Sequence, residues 1–235
     1  MIPASGATVV LAHGAWADGS SWARVIGRLR KEGQRAVAAP LPLTTLDDDV
    51  AALDRVIDRV GGPVLLAGHA YAGAVIGATR SKQVLGLVYV AALAPDEGET
   101  VADVFYRTEP HPLAPQLAPD ANGLIWLPDE AFSTAFAPQA DEEEQAVLAA
   151  VQRPIAAACI GASLGPPRWR DRPSWYLVAE EDRMIVAENQ RFMANRMGAQ
   201  TVSHPVDHTP LIARPELVSA LILDAARSAN RVNPD

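Results

Sequence analysis

The sequence is short of several things, and each shortage closes off a class of protein. It holds one cysteine, Cys159, in 235 residues, so no internal disulfide can form and nothing points to an oxidising compartment. Basic residues are outnumbered, 20 Lys and Arg against 28 Asp and Glu, for a formal charge of −8. That balance argues against a general affinity for nucleic acid or for an anionic membrane surface. Long apolar runs are missing. The first, Thr8 to Ala12, is too short for the apolar region of a signal peptide or for a membrane span. There is no internal repeat, and only the last few residues read as a tail. These absences leave the expectation of a cytoplasmic globular protein, as a monomer or a homodimer.

What is present alternates. Short runs rich in β-branched and apolar residues, Thr8–Ala12, Arg35–Ala39, Pro63–Ala67, Gly86–Ala91, Ser174–Ala179 and Thr201–His204, show little polar alternation. Strands covered by helices on both faces of a parallel sheet read this way. Between them lie stripes at helical spacing: Trp22, Val25, Ile26 and Leu29 before Gly33, and Val50, Leu53, Val56, Ile57 and Val60 before Gly61-Gly62. Two more follow, Ile185 to Met197 ending at Gly198, and Leu217 to Ala226. Strand–helix alternation predicts an α/β fold with a mostly parallel, doubly wound sheet of about six strands. The stretch from about 96 to 172 breaks the pattern with prolines, acidic clusters and scattered aromatics. Asp141 to Glu144 reads as a helix start, where negative charge suits the dipole. Since the sheet pattern resumes afterwards, the stretch is expected to be a helical lid inserted into one domain, with core 1–95 and 173–235. Its aromatics Phe105, Tyr106, Trp126, Phe132 and Phe136 are candidates to line a pocket, although lid packing alone would also account for them.

The most specific signal is Val64-Leu65-Leu66-Ala67-Gly68-His69-Ala70-Tyr71-Ala72-Gly73. A buried strand enters a turn of small residues and a helix follows at once, a junction that lifts its middle residue above the sheet. With Ala72 in the place of the second glycine, it resembles the Gly-x-Ser-x-Gly elbow of the α/β-hydrolase superfamily, most closely the small bacterial and plant esterases with a Gly-His-Ser-Tyr-Ala/Gly-Gly elbow. The resemblance covers nearly the whole chain. It implies that the loop His13-Gly14-Ala15-Trp16 supplies one oxyanion-hole N–H, from Ala15, and that Tyr71 supplies the other. Two such donors stabilise charge developing on a carbonyl oxygen, and losing one typically costs about 3 kcal/mol. It further implies Asp182, in Glu180-Glu181-Asp182-Arg183-Met184-Ile185, as the acid, and His208, ahead of Arg214-Pro215-Glu216, as the base. Glu180, Glu181 and Asp96 are the other acids considered, and a helix cap is the plain alternative for the 180–182 cluster. His204 reads as structural. His13 and His69 adjoin glycine turns, so no metal or other cofactor is expected. Trp16 is a candidate to shape the acyl side of the site.

One position departs from the family pattern. Residue 70 is alanine where the nucleophilic serine belongs, and a methyl group has neither lone pair nor acidic proton. Thr79, Ser81 and Cys159 offer no convincing replacement. Two explanations stand. In one, an acyl-enzyme esterase for small methyl, aryl or carbamate esters has had its serine exchanged for alanine, a change commonly made to hold intact substrate. In the other the alanine is natural, and the chain is a ligand-binding protein or a cofactor-free enzyme of oxygenase or lyase type using His208 and Asp182 as a general-base pair.

Overall fold

Residues 6–232 are described by a computed structural model, whose centre is a six-stranded sheet. Its strands are β1 (Thr8–Ala12), β2 (Ala36–Ala39), β3 (Val64–His69), β4 (Val84–Val90), β7 (Ser174–Ala179) and β8 (Gln200–His204). They lie in the order β2-β1-β3-β4-β7-β8, and every neighbouring pair is parallel. β5 (Leu124–Ile125) and β6 (Ile155–Ala156) form a separate antiparallel ribbon. Every residue of β1, β3 and β7 is buried, which is why their sequences carry no alternation. The doubly wound α/β architecture is the one expected.

Several boundaries move from those the apolar runs suggest. β3 runs two residues further, because His69 pairs with Val90 on β4 although it is polar. β4 starts at Val84 rather than Gly86. β8 begins at the exposed Gln200, whose backbone pairs with Trp175. Gly86 inside β4 is a space requirement, since a Cβ there would come within 2.8 Å of the Trp175 ring.

The helices follow local signals. α1 (Ala23–Lys31) ends before Gly33 at φ 75°. α2 (Leu46–Val60) is capped by the Thr45 hydroxyl, opens on Asp47, Asp48 and Asp49, and stops at Gly61 with φ 70°. Acids in a first turn and a left-handed glycine just past the end suit the unpaired groups at each terminus. α3 (Ala72–Ala78) starts directly from β3. After the sheet resumes come helices Ala187–Arg196 and Pro215–Val232.

Between β4 and β7 the chain forms short helices, Val101–Phe105, Asp129–Ala131, Glu142–Val151 and Ala157–Gly161, around the β5–β6 ribbon. Thr100 with Asp103, and Asp141 with Glu144, make reciprocal capping boxes. The acidic run at 141–144 is therefore the helix start expected of it. This stretch is fastened to the loops above the sheet. Trp16 N–H donates to Arg153 O at 3.0 Å, the Trp16 indole to Ile125 O at 3.0 Å, and Ala156 N–H to Leu43 O at 2.9 Å.

Candidate active site

The site is built on the ends of β1, β3, β7 and β8. At the end of β3, Ala70 adopts φ 50°, in the left-handed region where a residue with a Cβ is uncommon. The turn is tight enough to dictate its neighbours. A Cβ on Gly68 would lie 2.8 Å from Ala72 O, and one on Gly73 would collide with the Leu93 carbonyl. Leu93 N–H in turn donates to Ala70 O at 3.0 Å, which ties the elbow to the end of β4. The small residues of the motif are thus explained by space.

Asp182 follows β7 and is almost fully buried. Its Oδ1 accepts from the N–H groups of Met184 (2.7 Å) and Ile185 (2.8 Å), and its Oδ2 from Gln190 Nε2 (2.8 Å) and His208 Nδ1 (2.8 Å). A carboxylate oxygen accepts, so His208 Nδ1 carries the proton and Nε2 keeps its lone pair. The His208 ring sits 5.3 Å from the Phe136 ring and 4.8 Å from that of His69, centroid to centroid. The other acids are engaged elsewhere: Asp96 pairs with Arg170 at 2.7 Å, Glu180 with Arg191 and Ser203, and Glu181 with Gln139 at 2.8 Å. His204 closes β8, away from this pair.

Ala15, Trp16, Ala70, Tyr71 and His208 line one cavity of about 630 Å³, mouth included. Among the described residues, the backbone N–H groups of Ala15 and Tyr71 have no protein acceptor. Leu93, Val101, Phe105, Tyr106, Leu117, Ile125, Ile155, Ile160, Met184 and Ile185 supply its apolar wall. Of the aromatics expected at the pocket, Trp16, Phe105 and Tyr106 line it. Trp126, Phe132 and Phe136 do not. Trp126 is 48% exposed and its indole donates to Asp120 Oδ2 at 3.3 Å, so it faces solvent beside the ribbon. Phe136 is buried behind the cavity, against Phe132, Trp16 and the His208 ring, and backs the site without lining it.

The two remaining histidines near the elbow are neutral structural pieces. His13 Nδ1 bonds Gly14 O and its Nε2 accepts from Leu41 N–H, and burial holds its pKa below the ordinary value. His69 Nε2 donates to His208 O at 2.7 Å, and burial, with His208 beside it, pushes its pKa down to about 3. No group of three or more His, Cys, Asp or Glu among the described residues could hold a metal ion. No helix among them is long and apolar enough to cross a membrane.

Two groups escape sequence reasoning. Gln190 lies within the helical stretch Ile185 to Met197 and is not singled out by it, yet it is fully buried against Asp182. Asp49 is one of three acids in the first turn of α2. It is also fully buried, and it accepts from the Tyr71 hydroxyl at 2.7 Å and Leu43 N–H at 2.7 Å. Cys159 lies over the same carboxylate at 3.8 Å, where burial pushes its thiol up to about 12. That removes it as a nucleophile.

The sequence profile of a family described as "Alpha/beta hydrolase family" matches residues 9–221. Lipase LipV of Mycobacterium tuberculosis is 32% identical over 116 residues, a match spanning 43% of this chain and 43% of the lipase. Among solved structures, a pyrethroid hydrolase from Sphingobium faniae superposes with a TM-score of 0.80 at 21% identity, over 94% of this chain and 97% of its own. A histidine-to-alanine variant of tomato methylketone synthase I, complexed with β-ketoheptanoate, superposes at 0.81 and 15% identity, over 95% and 99%. At such identities the likeness is one of fold.

Proposed function

Because the chain belongs to the alpha/beta hydrolase family, we propose that its cavity is a serine-hydrolase site for carboxylic esters from which only the nucleophilic oxygen at residue 70 is missing. The observation that carries this is the backbone of Ala70. A left-handed non-glycine residue costs of order 1–3 kcal/mol, and such strain persists where the fold over-determines it, often to present a group. Here it presents a methyl at the cavity floor, with His208 in the same cavity wall.

In this reading an ester carbonyl rests above Ala70, its oxygen towards the N–H groups of Ala15 and Tyr71. A serine at 70 would attack the carbonyl carbon while His208 Nε2 takes its proton. His208 then returns that proton to the departing alcohol oxygen as the C–O bond breaks, leaving an acyl-enzyme for water to open. Asp182 holds the imidazole tautomer and stabilises its charge. The apolar wall suits small methyl, aryl or carbamate esters, and the stretch 96–172 acts as the lid of a single cytoplasmic domain. No cofactor enters the scheme.

The test is Ala70→Ser. Hydrolysis of p-nitrophenyl esters should rise by at least 10³-fold and the serine should take a fluorophosphonate label. An unchanged rate and an unlabelled protein would sink the reading. The chain as it stands should bind esters without consuming them.

A second reading is favoured by the intact, buried His208–Asp182 pair beside a methyl group, and by the β-keto acid held on this fold in the methylketone synthase. Loss of CO2 from a β-keto acid breaks one C–C bond and leaves its electron pair as an enolate. His208 Nε2 would take the proton of the bound acid before CO2 leaves, the two N–H groups would hold the enolate oxygen, and His208 would return that same proton to carbon, regenerating its lone pair. Incubating the unaltered chain with β-ketoheptanoate should then release CO2 faster than buffer does, and His208→Ala should abolish the excess. Equal rates would remove this reading.

A further inference from the structure

Four side chains face two cavities at once. Phe105, Tyr106, Leu117 and Met184 line the apolar cavity above Ala70 and also a neighbouring one of about 790 Å³, mouth included. The far wall of the second belongs to the loop 109–117, and its character is different. Glu109, His111 and Gln116 are among its lining residues. His111 Nδ1 accepts from Leu113 N–H at 3.0 Å, so its Nε2 carries the proton. Arg107 stacks over the Phe192 ring at 3.7 Å and is not among the lining, in which Glu109 is the acidic residue. Pro110, Pro112 and Pro115 fix φ at three positions of the loop.

The partition is made of groups that can move. Met184 has three rotatable bonds and a soft thioether. Tyr106 is 54% exposed and leans edge-on against Phe105 at 4.9 Å. From this geometry we propose that the outer cavity is a second subsite for the same ligand. The inner cavity takes an apolar acyl part. The outer takes an alcohol part bearing a cationic amine or hydrogen-bond donors, and it disfavours an anion. The inference rests on the ester reading above, which places the carbonyl at Ala70.

The test is equilibrium binding to the chain as it stands, by calorimetry at low salt, with methyl phenylacetate and 2-(dimethylamino)ethyl phenylacetate. The two esters share an acyl part and differ in the alcohol. Ala114→Trp, which fills the outer cavity, should weaken the amino ester at least tenfold and leave the methyl ester unchanged. Glu109→Gln, nearly isosteric and on the exposed loop, should weaken only the amino ester, by about two- to fivefold, the worth of an exposed charge pair. If both esters bind and neither substitution separates them, the outer subsite is overturned while the ester reading stands. If neither ester binds, both fall.

Discussion

At the scale of single residues, the elbow is tied to its surroundings by a carboxylate that does not line the cavity. Asp49 sits under Tyr71 and holds its hydroxyl, while its other oxygen fixes Leu43, a non-glycine residue at φ 61° whose carbonyl receives Ala156. Through these bonds one side chain joins the residue after the elbow to the stretch that roofs the site. Asp49→Ala leaves the Leu43 N–H and the Tyr71 hydroxyl without an acceptor, and unpaired buried groups cost about 1–3 kcal/mol each. The expected loss is about 2–4 kcal/mol, read from urea unfolding; a loss under 0.5 kcal/mol would show that the bonds are idle. Asp49→Asn keeps an acceptor and should cost much less. Burial raises the Asp49 pKa above 3.8 in the folded protein. A raised carboxyl binds more protons folded than unfolded, so stability falls as pH rises from 3.8 through the folded value. The melting temperature of the wild type should therefore drop relative to Asp49→Asn across that window, and a pH-independent difference would contradict the assignment.

At the scale of elements, Gln190 joins strand to helix. Its Oε1 accepts from Ala179 N–H at the end of β7, and its amide nitrogen donates to Asp182 Oδ2 and to Ile185 O from helix Ala187–Arg196. Gln190→Leu matches the volume but strands the Ala179 N–H and the Ile185 carbonyl and frees one Asp182 position. A loss of about 2–4 kcal/mol is expected from the unpaired buried groups. In an Ala70→Ser background it should also lower kcat more than it raises KM, because the acid is less well held. Equal activity would show that His208 and the N–H groups of Met184 and Ile185 keep Asp182 in place without it. This residue also marks the limit of reading the sequence. Apolar runs locate strands because burial on two faces removes alternation, and glycine and small residues mark the elbow because space there is short. Asp182 and His208 are legible through the resemblance. Gln190 and Asp49 are not, because a polar residue on a helix carries no mark of whether it meets water or a buried carboxylate. The same gap explains Trp126, whose composition suits a pocket but whose ring turns outward to Asp120.

At the scale of the whole molecule, the ends of the parallel strands bury a row of histidines, and that choice has a cost in acid. His13 follows β1, His69 ends β3 and His208 follows β8, all with almost no exposure. His69 is the extreme case, its pKa pushed by burial from 6.5 down to about 3 while its Nε2–H holds the His208 carbonyl. A protonated ring there would keep that donor but would place a charge beside His208 in a dry site. Below pH 6.5 the unfolded chain takes up this proton and the folded chain does not. Stability contributed by neutral His69 is therefore complete above 6.5 and is lost as pH falls from 6.5 towards 3, by about 1.4 kcal/mol per pH unit. His13, also lowered by burial, acts in the same direction. Asp207, raised by burial, acts in the opposite one once its own folded value is reached, as Asp49 does. His69 and His13 thus govern the upper part of the acid range. Urea midpoints should fall steadily from pH 6.5 to about 5, and histidine ring resonances assigned to His69 should stay in the neutral form until the protein unfolds. A His69 ring that titrates near 6.5 in the folded state would mean that water reaches the elbow and that burial does not hold the ring neutral.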